Sequence, residues 1–383
     1  MKILIIGNRK HQFVYNYVNA LRGSCLASNL QIDILSQDKD SKKGSMDGAF
    51  DHVYSISTFI PIYRFRVFRI LFQLFTLFFY LNRLKNYDIV HVHYLENIII
   101  WNIFFPKQIK AKLIISIWGS DFLRSSKRKR YMMMRIFDRA DQITIASPTV
   151  KKQFTDFYDG KYDDKISICQ FGLQPLEYIV NTCLEDFNEA KKKMGLASDK
   201  IIITIGYNAS RLQRHKEIIK YIELNENLSK YRDKIEFLLP CTYPKNVEYL
   251  QSLTLQIAKS KFHYTILSDF LSDDAVAMLR CCSNIFIQLQ PTDMLSGSML
   301  EHLAAGNIVI TGKWLPYDIL DELNIYMLKI ERMEQVSTIL LSVIENYLEY
   351  TRKCDLNKNI VLNNFRWKTV INKWINVYEK VLS

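Results

Sequence analysis

The chain lacks any paired-cysteine motif. Its seven Cys, at 25, 169, 183, 241, 281, 282 and 354, form no Cys-x-x-Cys and no Cys/His ligand spacing. That excludes a disulfide scaffold and a zinc domain and leaves reduced thiols in a cytosolic protein. Glycine (12) and proline (8) are scarce in 383 residues of 49% hydrophobic content. Low complexity and disorder are excluded, and two domains with their own cores fit the length. The opening MKILIIG is short and has no cleavage site, so it reads as a buried strand and not a signal peptide. Acidic residues run short in one half only. Residues 1–180 hold 26 Lys and Arg against 15 Asp and Glu, whereas residues 181–383 hold 25 against 24. Nearly all of the +12 net charge lies in the first half, which implies an anionic partner there.

Short apolar runs alternate with helical patterns. Strands are expected at 2–7, 31–36, 88–94, 112–119, 142–147 and 165–170, and again at 200–206, 234–240, 263–268, 284–290 and 307–312. Continuous apolar strands between helices mean parallel sheets covered on both faces. Two series mean two doubly wound α/β domains, expected at 1–175 and 176–364. The helix at 365–383 lies outside both series and is a candidate to pack on the first domain. Ligands of such sheets bind beyond the carboxyl ends of the strands. Facing sheets would place those ends in a shared cleft, so the residues after each strand are the ones to read.

In the second series, KIIITIG runs into GYNASRLQRHKEII. Gly206, Asn208, Ser210, Arg211, His215 and Lys216 form a loop and helix start suited to a diphosphate, or an ordinary strand-to-helix loop. NIFIQLQ runs into PTDMLSGSMLEHL. Gly297 and Ser298 open a helix, and Asp293 and Glu301, eight residues apart, can accept hydrogen bonds from sugar hydroxyls; the alternative is an ordinary capped helix with an exposed Glu301. Tyr243, after KIEFLLP, either stacks on a base or belongs to a plain turn built around Pro240 and Pro244, the reading the residues alone favour. In the first series, His93 lies next to the end of DIVHVHY and is either placed for an acceptor or a merely hydrogen-bonded core histidine, while His91 is expected to be structural. IWGSD turns at Gly119 and offers Asp121 either as a general base or as a helix N-cap.

The stretch RSSKRKRYMMMR carries six cations, including Lys127, Arg128, Lys129 and Arg130. The segment 59–85 combines Arg64, Arg66 and Arg69 with many Phe and Leu; it is too polar to span a bilayer and suits an interfacial helix, or else a helix buried between the sheet and its neighbours. Together they predict docking on an anionic membrane surface. No nucleic-acid module is present, so nucleic acid is not an expected partner. The rival reading is a non-catalytic scaffold that binds a membrane or another anion.

DIVHVHY, IWGSD, SDFLSDDAVAMLRCCSNIFIQLQ and SGSMLEHLAAGNIVITG, in this order, resemble the two-Rossmann-domain GT-B glycosyltransferases of the family-4-like type over nearly the whole chain. WGSD, GYNASRLQRH and PCTYPKNVEYL look closer to the bacterial TDP-Fuc4NAc:lipid II transferases. The resemblance implies a UDP- or TDP-linked sugar donor, with Asn208, Ser210 and His215 at the diphosphate and Tyr243 near the nucleotide. It also implies an undecaprenyl-diphosphate-linked saccharide acceptor on the inner membrane face, in surface polysaccharide synthesis. Where that family carries two glutamates eight positions apart, this chain has Asp293 and Glu301. No metal or other cofactor is expected. An inverting reaction would use Asp121 as base. A retaining one would pass the proton to the leaving diphosphate, with Asp121 as a positioning group.

Overall fold

The structure, a computed structural model, describes residues 1–24, 30–36, 45–55, 86–95, 110–182, 187–243, 246–293 and 295–383. Packing divides the chain into two units: Met1–Gly172 with Trp367–Ser383, and Leu173–Arg366. The boundaries fall at 172 and 366, against 175 and 364 expected.

The first unit holds a seven-stranded parallel sheet in the order β3-β2-β1-β4-β5-β6-β7. Its strands are β1 (Lys2–Gly7), β2 (Gln31–Ser36), β3 (Val53–Ser55), β4 (Ile89–His93), β5 (Lys112–Ile117), β6 (Gln142–Ile145) and β7 (Ile166–Ile168). Only the first residue of β1 is exposed; the rest are buried, as strands covered on both faces require. The helices used below are α1 (Gln12–Arg22), the short α2 (Ser120–Leu123), α3 (Lys127–Arg139) and α4 (Pro148–Phe157).

The second unit has a six-stranded parallel sheet, β10-β9-β8-β11-β12-β13. It comprises β8 (Ile201–Ile205), β9 (Ile235–Pro240), β10 (Tyr264–Leu267), β11 (Ile285–Gln288), β12 (Ile308–Gly312) and β13 (Leu328–Ile330). Its relevant helices are α5 (His215–Glu223), α6 (Val247–Ile257), α7 (Asp273–Cys282) and α8 (Gly297–Ala304). Both sheets are doubly wound. In each, the winding reverses between the first strand and a later neighbour: β1 beside β4, and β8 beside β11. A doubly wound sheet opens a crevice at that reversal, beyond the strands' carboxyl ends.

The last helix, α9 (Trp367–Leu382), completes the first unit's core. Trp367, Val370, Trp374, Tyr378 and Val381 repeat at helical spacing and pack with Val14, Tyr17 and Leu21 of α1. Tyr378 and Tyr17 are hydrogen-bonded through their hydroxyls, and Trp374 Nε1 donates to the Gln170 carbonyl at 2.9 Å.

Candidate functional site

At the β1/β4 reversal, His93 is 2% exposed and lies against Gly7, where a Cβ would come within 3.4 Å of its own Cβ. Neither ring nitrogen has a partner among the described residues. Burial, with His11 adding to it, pushes the ring's pKa down to about 3, so it is neutral at pH 7. Tyr17, Trp118, Phe171 and Trp374 surround it, with ring centroids 5.0–6.2 Å away. His91 is structural, as expected: Nδ1 meets Tyr378 Oη and Nε2 meets Ser116 Oγ, both at 2.7 Å.

Asp121 differs from a free base. Gly119 does turn the chain sharply, at φ 110°. The buried Asp121 carboxylate then accepts four backbone amides: Gly119 at 3.0 Å, Trp118 and Phe122 at 3.1 Å and Leu95 at 3.2 Å. Burial pushes its pKa up while these amides pull it down. A carboxylate so surrounded organises the two loops after β4 and β5; its lone pairs are already engaged.

The basic stretch also divides. Arg130 is not a lipid ligand, because its guanidinium closes α2, donating to the carbonyls of Phe122 at 3.1 Å and Leu123 at 2.9 Å. It also lies 4.5 Å over the Phe122 ring. Lys127 and Arg128 are exposed and Lys129 is partly so. Arg64, Arg66 and Arg69 lie outside the described residues. Among the described residues no helix is long and apolar enough to cross a membrane.

At the β8/β11 reversal, Gly206 adopts φ 63°, and a Cβ there would lie 2.7 Å from Gln213 Oε1 and 2.8 Å from His215 Nε2. Only glycine fits. Asn208 Oδ1 accepts Ser210 N at 2.9 Å, Ser210 Oγ accepts Leu212 N at 3.2 Å, and Ala209 N donates to the Tyr243 carbonyl at 2.8 Å. These bonds shape the loop and leave Tyr243 50% exposed as a residue. His215 is fully buried beneath the loop, with Nδ1 3.0 Å from Tyr249 Oη. It therefore props the loop and is not a surface donor to a diphosphate. Arg211 and Lys216, with Arg214, line an open cavity of about 460 Å³ at the start of α5, bounded across by Glu248, Tyr249 and Ser252. Arg214 is 3.4 Å from Glu217; Arg211 and Lys216 have no ion pair among the described residues.

Burial pushes the His215 pKa down to about 4. Below pH 6.5 the unfolded chain takes up a proton that the folded ring refuses. Stability is thus intact above 6.5 and falls toward pH 4, by about 3 kcal/mol from this ring. Melting of the second unit across that range should show a shallower acid slope in His215→Gln.

Asp293 Oδ2 accepts Ser296 N at 3.1 Å, Gln288 Nε2 at 3.3 Å and Tyr317 Oη at 2.5 Å, which sets the turn into α8. Ser296 caps α8 through Met299 N at 3.3 Å. Ser298, in the first turn, is buried with its hydroxyl unpartnered among the described residues. Glu301 is neither exposed nor free: Oε2 accepts Arg280 Nε of α7 at 3.0 Å, and the two side chains are 10% and 7% exposed. Its other oxygen faces Gly297, where a Cβ would come within 3.5 Å.

Left-handed non-glycine residues mark these same loops: Tyr94 (φ 66°) after β4, Arg214 (φ 57°) after β8 and Leu295 (φ 67°) after β11. Such conformations cost about 1 kcal/mol or more each and persist where the surroundings enforce them. Arg280 and the Gln290–Tyr207 bond (3.1 Å) that ties the β11 and β8 loops were not anticipated. Arg280 had a signal, being a cation one turn from buried Ala277 on the apolar face of α7.

Residues 2–147 match the family described as "Glycosyl transferase 4-like". An uncharacterised glycosyltransferase of Methanocaldococcus jannaschii is 23% identical over 350 residues, 85% of each chain. A Rickettsia africae glycosyltransferase superposes with TM-score 0.74 at 16% identity, covering 100% of this chain and 98% of its own. Anabaena HepE, solved with UDP and glucose, superposes with TM-score 0.72 at 11% identity over 99% and 100%. The chain therefore has the GT-B fold of two Rossmann-like units, and the match over residues 2–147 together with the Methanocaldococcus jannaschii relative supports a glycosyltransferase.

Proposed function

We propose that the protein transfers a hexosyl-type sugar from a UDP- or TDP-linked donor to an undecaprenyl-diphosphate-linked saccharide, at the inner face of the plasma membrane, in surface polysaccharide synthesis such as that of O-antigen or capsule. The observation that carries this reading is the cavity at the start of α5, with Arg211 and Lys216 on its wall and in no ion pair among the described residues. Two cations beside a helix N-terminus suit a diphosphate. UDP bound by a protein of the same fold supports the nucleotide, and the likeness of GYNASRLQRH to TDP-sugar transferases keeps TDP beside it.

In this reading the donor's C1–O bond breaks, the nucleoside diphosphate leaves with the electron pair, and the acceptor hydroxyl forms the new bond. Arg211, Lys216 and the first turn of α8, with the Ser298 hydroxyl, stabilise the growing negative charge in place of a divalent cation. Glu301 Oε1 and Asp293 hold donor hydroxyls, and Tyr243 stacks on the base. Neutral His93 meets the acceptor hydroxyl. With Asp121 occupied by four amides, the proton passes to the departing diphosphate and Asp121 acts as a positioning group.

The test is thermal shift with UDP and TDP, with EDTA present. A donor nucleotide at a hundredfold over its Kd should stabilise the chain by about 2.7 kcal/mol. Arg211→Ala with Lys216→Ala should abolish that shift while leaving the ligand-free melting point in place. No shift with either nucleotide would favour a scaffold, and a shift that EDTA removes would defeat the metal-free reading.

A further inference from the structure

Helix α3 carries its charge where a helix tolerates it least. Lys127, Arg128, Lys129 and Arg130 occupy its first turn, which has no acid, although the helix dipole favours anions at that end. Arg130 is explained by its bonds to α2. The others are not: Arg124, Lys127, Arg128, Lys129 and Arg135 make no ion pair with any described residue.

Helical spacing groups them. At about 100° per residue, Lys127, Arg128, Tyr131 and Arg135 fall within one arc of roughly 100°, opposite the buried Met133, Ile136 and Phe137. Tyr131 is 60% exposed in the middle of this stripe, its ring propped on Phe157 at 5.2 Å. Asp138 lies in the same arc, but Lys161 engages it at 2.6 Å. Three cations in no ion pair among the described residues, set around an amphipathic aromatic, match the headgroup level of an anionic bilayer, where Tyr is favoured and each cation gains from the surface potential. The stripe is convex and belongs to one helix, whereas a nucleic-acid strand is tracked by a groove with several stacking rings.

Helix α3 also adjoins the candidate acceptor loop, through a residue outside the stripe. Arg130 binds α2, which leaves β5 at Gly119, and Tyr94 Oη meets Ser120 Oγ at 3.2 Å beside His93. We propose that the exposed stripe Lys127–Arg128–Tyr131–Arg135 of α3, extended by Arg124, docks the first unit on anionic phospholipid and so presents the β4 and β5 loops to a membrane-held acceptor. Its catalytic meaning rests on the transferase reading above; the docking does not.

The experiment is co-sedimentation of the full chain with phosphatidylcholine vesicles, with and without an equal part of phosphatidylglycerol. The chain should sediment only with the anionic vesicles. At about fivefold per cation, Lys127→Gln, Arg128→Gln and Arg135→Gln together should lower partitioning on the order of a hundredfold. Tyr131→Ala should lower it severalfold. The nucleotide thermal shift should be unchanged in both variants, which also shows that they fold. Equal partitioning of the triple variant and the parent, equal binding to neutral vesicles, or tighter binding to a single-stranded RNA through the same residues would overturn the docking surface. Vesicle binding without any nucleotide shift would uphold it and remove the transferase reading instead.

Discussion

Glu301→Ala is expected to destabilise the second unit by about 3–5 kcal/mol, because it strands the buried Arg280 guanidinium. Turnover should also fall, since the carboxylate is proposed to hold a donor hydroxyl through Oε1. Replacing both partners separates the two effects. Arg280→Met with Glu301→Leu fills the site with apolar volume and should recover most of the melting temperature. Transfer should remain lost. If the double variant regains activity along with stability, Glu301 is structural only. If the single variant melts like the parent, the ion pair is not what holds α7 to α8.

Trp374→Ala is the second large effect. The indole is buried among Tyr17 at 4.9 Å, Phe171 at 5.2 Å and His91 at 5.8 Å, and its N–H is bonded. Large-to-small changes at such sites cost about 3–5 kcal/mol, much of the 5–15 kcal/mol that holds a typical domain. Calorimetry should show the first unit's transition falling while the second unit keeps its transition and its nucleotide shift. Trp374→Phe, which keeps most of the volume and loses the hydrogen bond, should cost about 1 kcal/mol. Parallel loss of both transitions would mean that α9 does not belong to the first unit alone.

Most strands were legible because a doubly covered parallel strand is written as an uninterrupted apolar run. β3 and β13, three residues each, carry no such run and were not anticipated. The loops were legible from the rule that ligands meet strand ends. What side chains do inside them was not. His215 and Arg211 look alike as basic residues four apart, yet one is buried under Gly206 and the other lines the cavity. Asp121 reads equally as base or cap until its four amides are seen. Arg130 is indistinguishable from its basic neighbours until α2 packs against it. For His215 and Arg130 the deciding contact joins separate elements, and for Asp121 the Leu95 amide arrives from the loop after β4; local spacing encodes none of these contacts.

The placement of α9 constrains how the chain can be made. Its apolar face completes the sheet that begins at Lys2, but the whole span Leu173–Arg366 lies between the last core residues of the first unit and this helix. Domains fold largely as they leave the ribosome. Here the unit translated first must wait with α1 uncovered, and the unit translated second is the earlier to finish. Chaperone dependence during synthesis should therefore centre on the patch around Val14, Tyr17 and Leu21, and it should end when Trp374 emerges.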